Sequence, residues 1–209
     1  MPPEVRPAHA DRATPALALR WHRLHTSTRV LVAELLLIGV TMALLGATGY
    51  PLVVGYAWHK LLHILGAVLF LGNIIVTALW MSFTAATGQP ALVRRAAEAT
   101  QWADVGFTAP GVLLVVANGM VMVHAIGGLA AHPWALGGLV LFAASGVLWL
   151  VFLIPAQERM LRWARSAEEH GRALGDDFRR ALRVWTVAGL AATLLPLAVL
   201  GLMVLRPGA

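Results

Sequence analysis

Residues 58–83 read WHKLLHILGAVLFLGNIIVTALWMSF. Beyond Lys60 and two histidines near its start, the stretch is uncharged. A helix rising about 1.5 Å per residue needs about 20 apolar residues to cross about 30 Å of hydrocarbon. A strand would be shorter and would alternate apolar with polar, and this run does neither. It predicts a transmembrane helix. Four more apolar runs of similar length follow the same logic, at residues 30–48, 105–126, 134–154 and 184–205. Together they predict an all-α integral membrane bundle of about five transmembrane helices.

Composition agrees. The chain has 209 residues, 59% hydrophobic and 12% charged, where a soluble domain keeps about a quarter of its residues charged. The missing charge implies a surface that meets the lipid bilayer, and the length leaves room for one domain. Cysteine is absent, which excludes disulfides, thiolate metal sites, iron–sulfur clusters and haem attached through Cys. Any metal or haem falls to His, Met, Lys or oxygen ligands. Lys and Arg number 16 against 10 acidic residues. Nucleic acid is not the partner this implies, because the placement of the arginines has a topological explanation.

Arg20, Arg23 and Arg29 precede the first span, Arg94 and Arg95 follow the second, and Arg159, Arg162, Arg165, Arg172, Arg179, Arg180 and Arg183 follow the fourth. Residues 49–55 and 127–133 carry no Lys or Arg. Five spans put every Arg-rich segment on one side. The positive-inside rule then predicts a cytoplasmic N-terminus and an outer C-terminus in a bacterial cytoplasmic membrane. Trp58 and Trp134 fall at outer span ends and Trp80, Trp102, Trp163 and Trp185 near inner ends, as an interfacial aromatic belt would; Trp149 alone lies well inside a span. Residues 1–29 read as a polar cytoplasmic extension, with a short interfacial helix near 17–24. A cleaved signal peptide is the rival reading of the first run, and Glu34 within it argues for a retained span. Residues 155–183 read as a basic cytoplasmic segment, with Glu158–Arg162 and Glu168–Arg172 at helical pairing distance.

The second span holds the densest polar cluster. At 100° per residue, His59, His63, Gly66, Phe70, Asn73 and Thr77 fall within an arc of about 80°. Ionisable groups are costly in lipid, so this seam points inward. His63, about 1.5 turns below the outer boundary, is deep enough to ligate haem through an imidazole nitrogen. The structural alternative makes His59 and Lys60 interfacial residues, Lys60 snorkelling to headgroups, and His63 a hydrogen-bonded packing residue. The pair His59 and His63 could also clip copper or zinc. In the third span, Asp104, Thr108, Gly111, Asn118 and Met122 share a stripe. It reads either as the far wall of a cofactor pocket or as a helix cap, a Pro110 kink, small packing residues and Asn118 as interhelical glue. Glu34 is expected to pair with an arginine, and His124 to sit at the outer interface. Gly137, Gly138, Gly146 and Gly189 are expected at close helix contacts. Ser145 lacks a base, and phosphate-binding, dinucleotide and zinc-hydrolase motifs are absent.

Lys60-x-x-His63-x-x-Gly66, Leu71-Gly72-Asn73, Thr77 and Trp80 resemble the start of DUF2269, a bacterial family of predicted integral membrane proteins. Asp104-x-x-Phe107-Thr108-x-Pro110-Gly111 and Ser145-Gly146-x-x-Trp149-Leu150 with Pro155-x-Gln157-x-Arg159 resemble the same family. The likeness covers roughly residues 56–205, which makes the span at 30–48 an addition. The first helix of that family is similar to those of HemJ-type protoporphyrinogen oxidases and CopD-type copper-resistance proteins. In the HemJ type the histidine of Lys-x-x-His ligates haem, which maps onto His63 with Lys60 close by. Asn73, Thr77 and Trp80 replace the aromatic, Pro- and Arg-containing tail of that helix and set this chain apart from the protoporphyrinogen oxidases.

The residues and the resemblance together lead to the expectation of a small haem b protein with a redox or electron-transfer role. His63, Lys60, Asn73, Thr77 and Asn118 would line its cofactor site, with His63 and His59 as metal ligands. Two other classes stay open: a cofactor-free accessory subunit, in a homo-oligomer or a larger membrane complex, and a metal or ion permease.

Overall fold

The computed structural model describes residues 24–208. Five long helices account for most of them: α1 Thr26–Ala47, α2 Tyr56–Ala86, α3 Pro90–Ala125, α4 Pro133–Glu169 and α5 Asp176–Leu205. All five are long and apolar enough to cross a membrane, so the protein is an all-α membrane bundle. Proline opens both α3 and α4, where its missing N–H has no intrahelical acceptor to lose. The turn from α2 to α3 is closed by Gly88 at φ +65°, a conformation that disfavours a side chain.

Helices α3 and α4, at 36 and 37 residues, are each about 54 Å long, well beyond about 30 Å of hydrocarbon. Their surplus lies at the Arg-rich end. The sequence places the start of the third span at residue 105, but the helix begins at Pro90. Asp104 is therefore no cap; it sits mid-helix. Likewise the 155–183 segment is helical only to Glu169, before α5 begins at Asp176. The residues 1–23 that would hold the proposed interfacial helix lie outside the described residues, and α1 is already helical from Thr26.

The largest buried cluster also lies at this end. Met81, Val93, Ala97, Met160, Leu161, Ala164, Phe178 and Trp185 pack there. Apolar burial is favourable where the alternative is water, and gains little where the alternative is lipid. Within the spans, Leu37, Val68, Val140 and Leu194 instead remain exposed. Trp185, expected in the interfacial belt, is 5% exposed and belongs to this core, whereas Trp58, Trp80, Trp102 and Trp163 are exposed.

Charges at the same end bind α3 to α4. Arg94 pairs with Glu98 at 2.8 Å and with Glu168, and Arg165 pairs with Glu98 at 3.0 Å. Glu168 thus reaches across to α3 and not to Arg172, which lies beyond the end of α4. Burial acts to raise the Glu98 carboxyl, but hydrogen bonds and charge from Arg165 and Arg94 outweigh it and hold it below its ordinary value. Glu158, 1% exposed, does not pair with Arg162. It accepts the His25 backbone N–H at 3.1 Å and the Thr28 hydroxyl, fastening the N-terminus of α1, where a negative group is favoured. Glu34 forms no ion pair among the described residues, and its Oε2 is buried without a partner.

Inside the membrane, α2 packs chiefly on α3, and α4 on α5. The Arg-rich halves of α3 and α4 join these two pairs, while α2 and α5 touch little.

Candidate functional site

Helices α2 and α3 cross at glycines. A Cβ on Gly66 would lie 2.8 Å from the Gly111 carbonyl oxygen, and one on Gly111 2.9 Å from that of Gly66. Only two backbones without side chains can approach this closely, and the crossing brings the polar seam of α2 against α3. His63 packs on Gly119, where a Cβ would sit 3.1 Å from the ring, and its Nδ1 lies 2.8 Å from the Val115 carbonyl oxygen. A carbonyl only accepts, so Nδ1 carries the hydrogen and the lone pair of the neutral ring is on Nε2.

His59 is fixed the same way. The Asn118 Nδ2 donates to the Leu114 carbonyl at 2.9 Å, which orients the amide so that its Oδ1 accepts from His59 Nδ1 at 2.8 Å. His59 is 7% exposed and its Nε2 is buried with no hydrogen-bond partner among the described residues. The Nε2 of His63 likewise makes no hydrogen bond among the described residues. Lys60 lies on the exposed side of α2. Among the described residues no group of three or more His, Asp or Glu is arranged to hold a metal ion, so this pair offers two donors at most.

The remaining residues of the predicted site lie elsewhere. Asn73 is ten residues further along α2 than His63, about 15 Å away. Its Nδ2 donates to Thr108 Oγ1 at 2.8 Å and to Asp104 Oδ1 at 3.3 Å. Thr108 donates to Asp104 Oδ1 at 2.8 Å, and Gln157 Nε2 to Asp104 Oδ2 at 3.1 Å. Thr77, one turn beyond Asn73, returns its hydroxyl to the Asn73 carbonyl at 2.7 Å. The single seam expected on α2 therefore serves two sites: imidazoles near one end and a carboxyl network deeper in.

This second site borders a cavity of about 490 Å³ between the α2–α3 and α4–α5 pairs. Asp104, Thr108, Thr77 and Gln157 line it along with Phe70, Phe142, Trp149 and Trp185. Gly146, expected at a helix contact, has nothing within 4 Å of its would-be Cβ and forms cavity wall instead. Gly189 also lines the cavity.

Local backbone shapes the cavity. Residues Asp104–Thr108 and Trp149–Leu153 are π-helical, with Ala109 N–H reaching back to the Asp104 carbonyl and Ile154 N–H to that of Trp149. Pro110 and Pro155 follow directly. Each proline has no N–H to give the carbonyl four residues earlier and crowds it; the widened turn absorbs that mismatch without a sharp break. Gln157 is the member the sequence reading left without a role. Its only signal is its place two residues after Pro155.

Residues 57–207 match the family described as "Predicted integral membrane protein (DUF2269)". The chain belongs to this family. No curated protein and no solved structure matches it. The matched region contains both polar networks of this DUF2269 protein and all of α3, α4 and α5, while α1 precedes it.

Proposed function

We propose that this membrane protein binds haem b through His63 and serves a redox or electron-transfer role, in a bacterial cytoplasmic membrane with its arginine-rich end on the cytoplasmic side. The observation that supports this reading is the fixed ring of His63. A ligating histidine commonly donates its other ring N–H to a backbone carbonyl or carboxylate, which orients the ring and strengthens the nitrogen that faces the iron. His63 donates to Val115 in this way, and its Nε2 has no partner among the described residues.

When bound, haem supplies one-electron chemistry at its iron. The chain supplies orientation. Val115 and Gly119 hold the His63 plane, and Asn118 holds His59, whose orphaned Nε2 is the second donor on the same face. Leaving a buried acceptor unpaired costs about 1–3 kcal/mol, a cost that a ligand to that nitrogen would remove. Lys60, exposed one turn from His63, suits an acidic group at headgroup level. His63 does not line the 490 Å³ cavity, so haem held by it would not occupy that cavity.

The test is an absorption spectrum of detergent-purified protein from haem-replete cells. A Soret band that His63→Ala abolishes or shifts is expected. A colourless preparation, or a band untouched by His63→Ala, would overturn the reading.

A further inference from the structure

We propose that the cavity beside Asp104 is a binding site for a lipophilic cation, entered sideways from the bilayer between α2 and α5. This site is separate from the imidazoles of the α2–α3 seam and does not depend on haem.

Asp104 is 3% exposed, and its carboxyl is met by donors: the Asn73 and Gln157 amides, the Thr108 hydroxyl and the Trp149 side chain. Donors on both oxygens suit an anionic carboxylate, since a protonated acid would itself need an acceptor. A carboxylate has about four acceptor positions. Oδ1 takes two of these bonds and Oδ2 the one from Gln157, and the Trp149 side chain also donates to the carboxyl; every one of these donors is neutral.

No cation among the described residues pairs with Asp104. The ion pairs among the described residues are Arg94–Glu98, Arg94–Glu168, Arg165–Glu98 and Arg179–Asp176. A buried charge without a counter-charge is costly, and here the acid borders a cavity of about 490 Å³, within the size range of small-molecule sites. The walls suit an apolar body, and four of the lining residues, Trp149, Trp185, Phe70 and Phe142, are aromatic, a residue type that attracts cations. The entrance is also visible: Ile75, Leu79 and Leu190 line the cavity and are 42%, 55% and 63% exposed on the lipid-facing surface. A ligand soluble in lipid can reach the acid without crossing the aqueous end.

The full chain in phosphatidylcholine nanodiscs should bind tetraphenylphosphonium saturably, after subtraction of empty discs, and should not bind tetraphenylborate, which has the same shape and opposite charge. Equal binding of the two ions would overturn the proposal with no variant needed. Asp104→Asn should weaken tetraphenylphosphonium binding at least tenfold. Gly146→Leu, placed where a side chain has open space, should abolish it by filling the cavity while leaving Asp104 intact. Undiminished binding in either folded variant counts against the site. His63→Ala should leave binding unchanged, and a loss there would move the site away from Asp104.

Discussion

The backbones of Gly66 and Gly111 touch: each would place a Cβ within 3 Å of the other's carbonyl oxygen. This contact sets how far α3 stands from α2, and so whether Val115 and Gly119 can reach His63. Gly66→Ala forces main chain apart where no flexible side chain can yield, an overpacking cost of about 1–3 kcal/mol. Thermal unfolding in detergent should show a clear drop for Gly66→Ala and little for Gly72→Ala, whose Cβ would meet nothing within 4 Å.

Asn118 acts on the imidazole seam without being a ligand. Asn118→Ala removes the acceptor that holds His59 Nδ1. Loss of such a supporting bond typically lowers metal-centre affinity by about 10–100-fold. Titration of the purified variant with haem should show weakening that Asn118→Asp, which keeps an acceptor oxygen, largely restores. Equal affinity in wild type and Asn118→Ala would remove His59 from the site.

Glu98 gives the basic end a pH dependence of definite sign. Its carboxyl is held below the ordinary value in the folded state because Arg165 and Arg94 together outweigh its burial. The stability it contributes is thus complete above the unfolded carboxylate pKa of about 4.3 and is lost as the pH falls through the lower folded value. Melting curves between pH 7 and 3 should show this as a loss of a few tenths to about 1 kcal/mol. Glu98→Gln should flatten that part of the profile.

Glu158 fastens α1 to the rest of the bundle through His25 and Thr28. Glu158→Ala leaves both donors in a buried setting without their acceptor, at about 1–3 kcal/mol. Amide exchange at the start of α1 and tryptic cleavage after Arg29 should both speed up. Exchange in the Gly66–Gly111 crossing should stay as it is.

The proposed orientation is tested by fusions. Alkaline phosphatase joined after Ala209 should be active, and joined after Gly88 inactive. The reverse pattern would invert the bundle.

The helices were legible because lipid imposes a length on an apolar run, and all five appear where the sequence has such runs. Their ends were not. Hydropathy reports where a helix leaves the hydrocarbon, not where it stops, so α3 was read as starting near Val105 although it begins at Pro90. The same blind spot cast Asp104 as a cap. The α2 seam was visible as one arc, yet helical projection discards position along the axis, so residues about 15 Å apart appeared to be one site. Gln157 was visible only through its place after Pro155, and its role was not, because that role comes from a partner 53 residues earlier in the chain.

The two widened turns have a further consequence. A π-turn holds one residue more than the α-turn it replaces, so each amounts to a one-residue insertion that the fold has kept. Deleting one residue between 105 and 107 would restore regular winding and swing Asp104, with everything before it on α3, by about 100° relative to Gly111 and Val115. The carboxyl would leave its amide and hydroxyl neighbours while the glycine crossing stayed whole. Among homologous chains, the carboxyl site and the extra residue should therefore be gained or lost together.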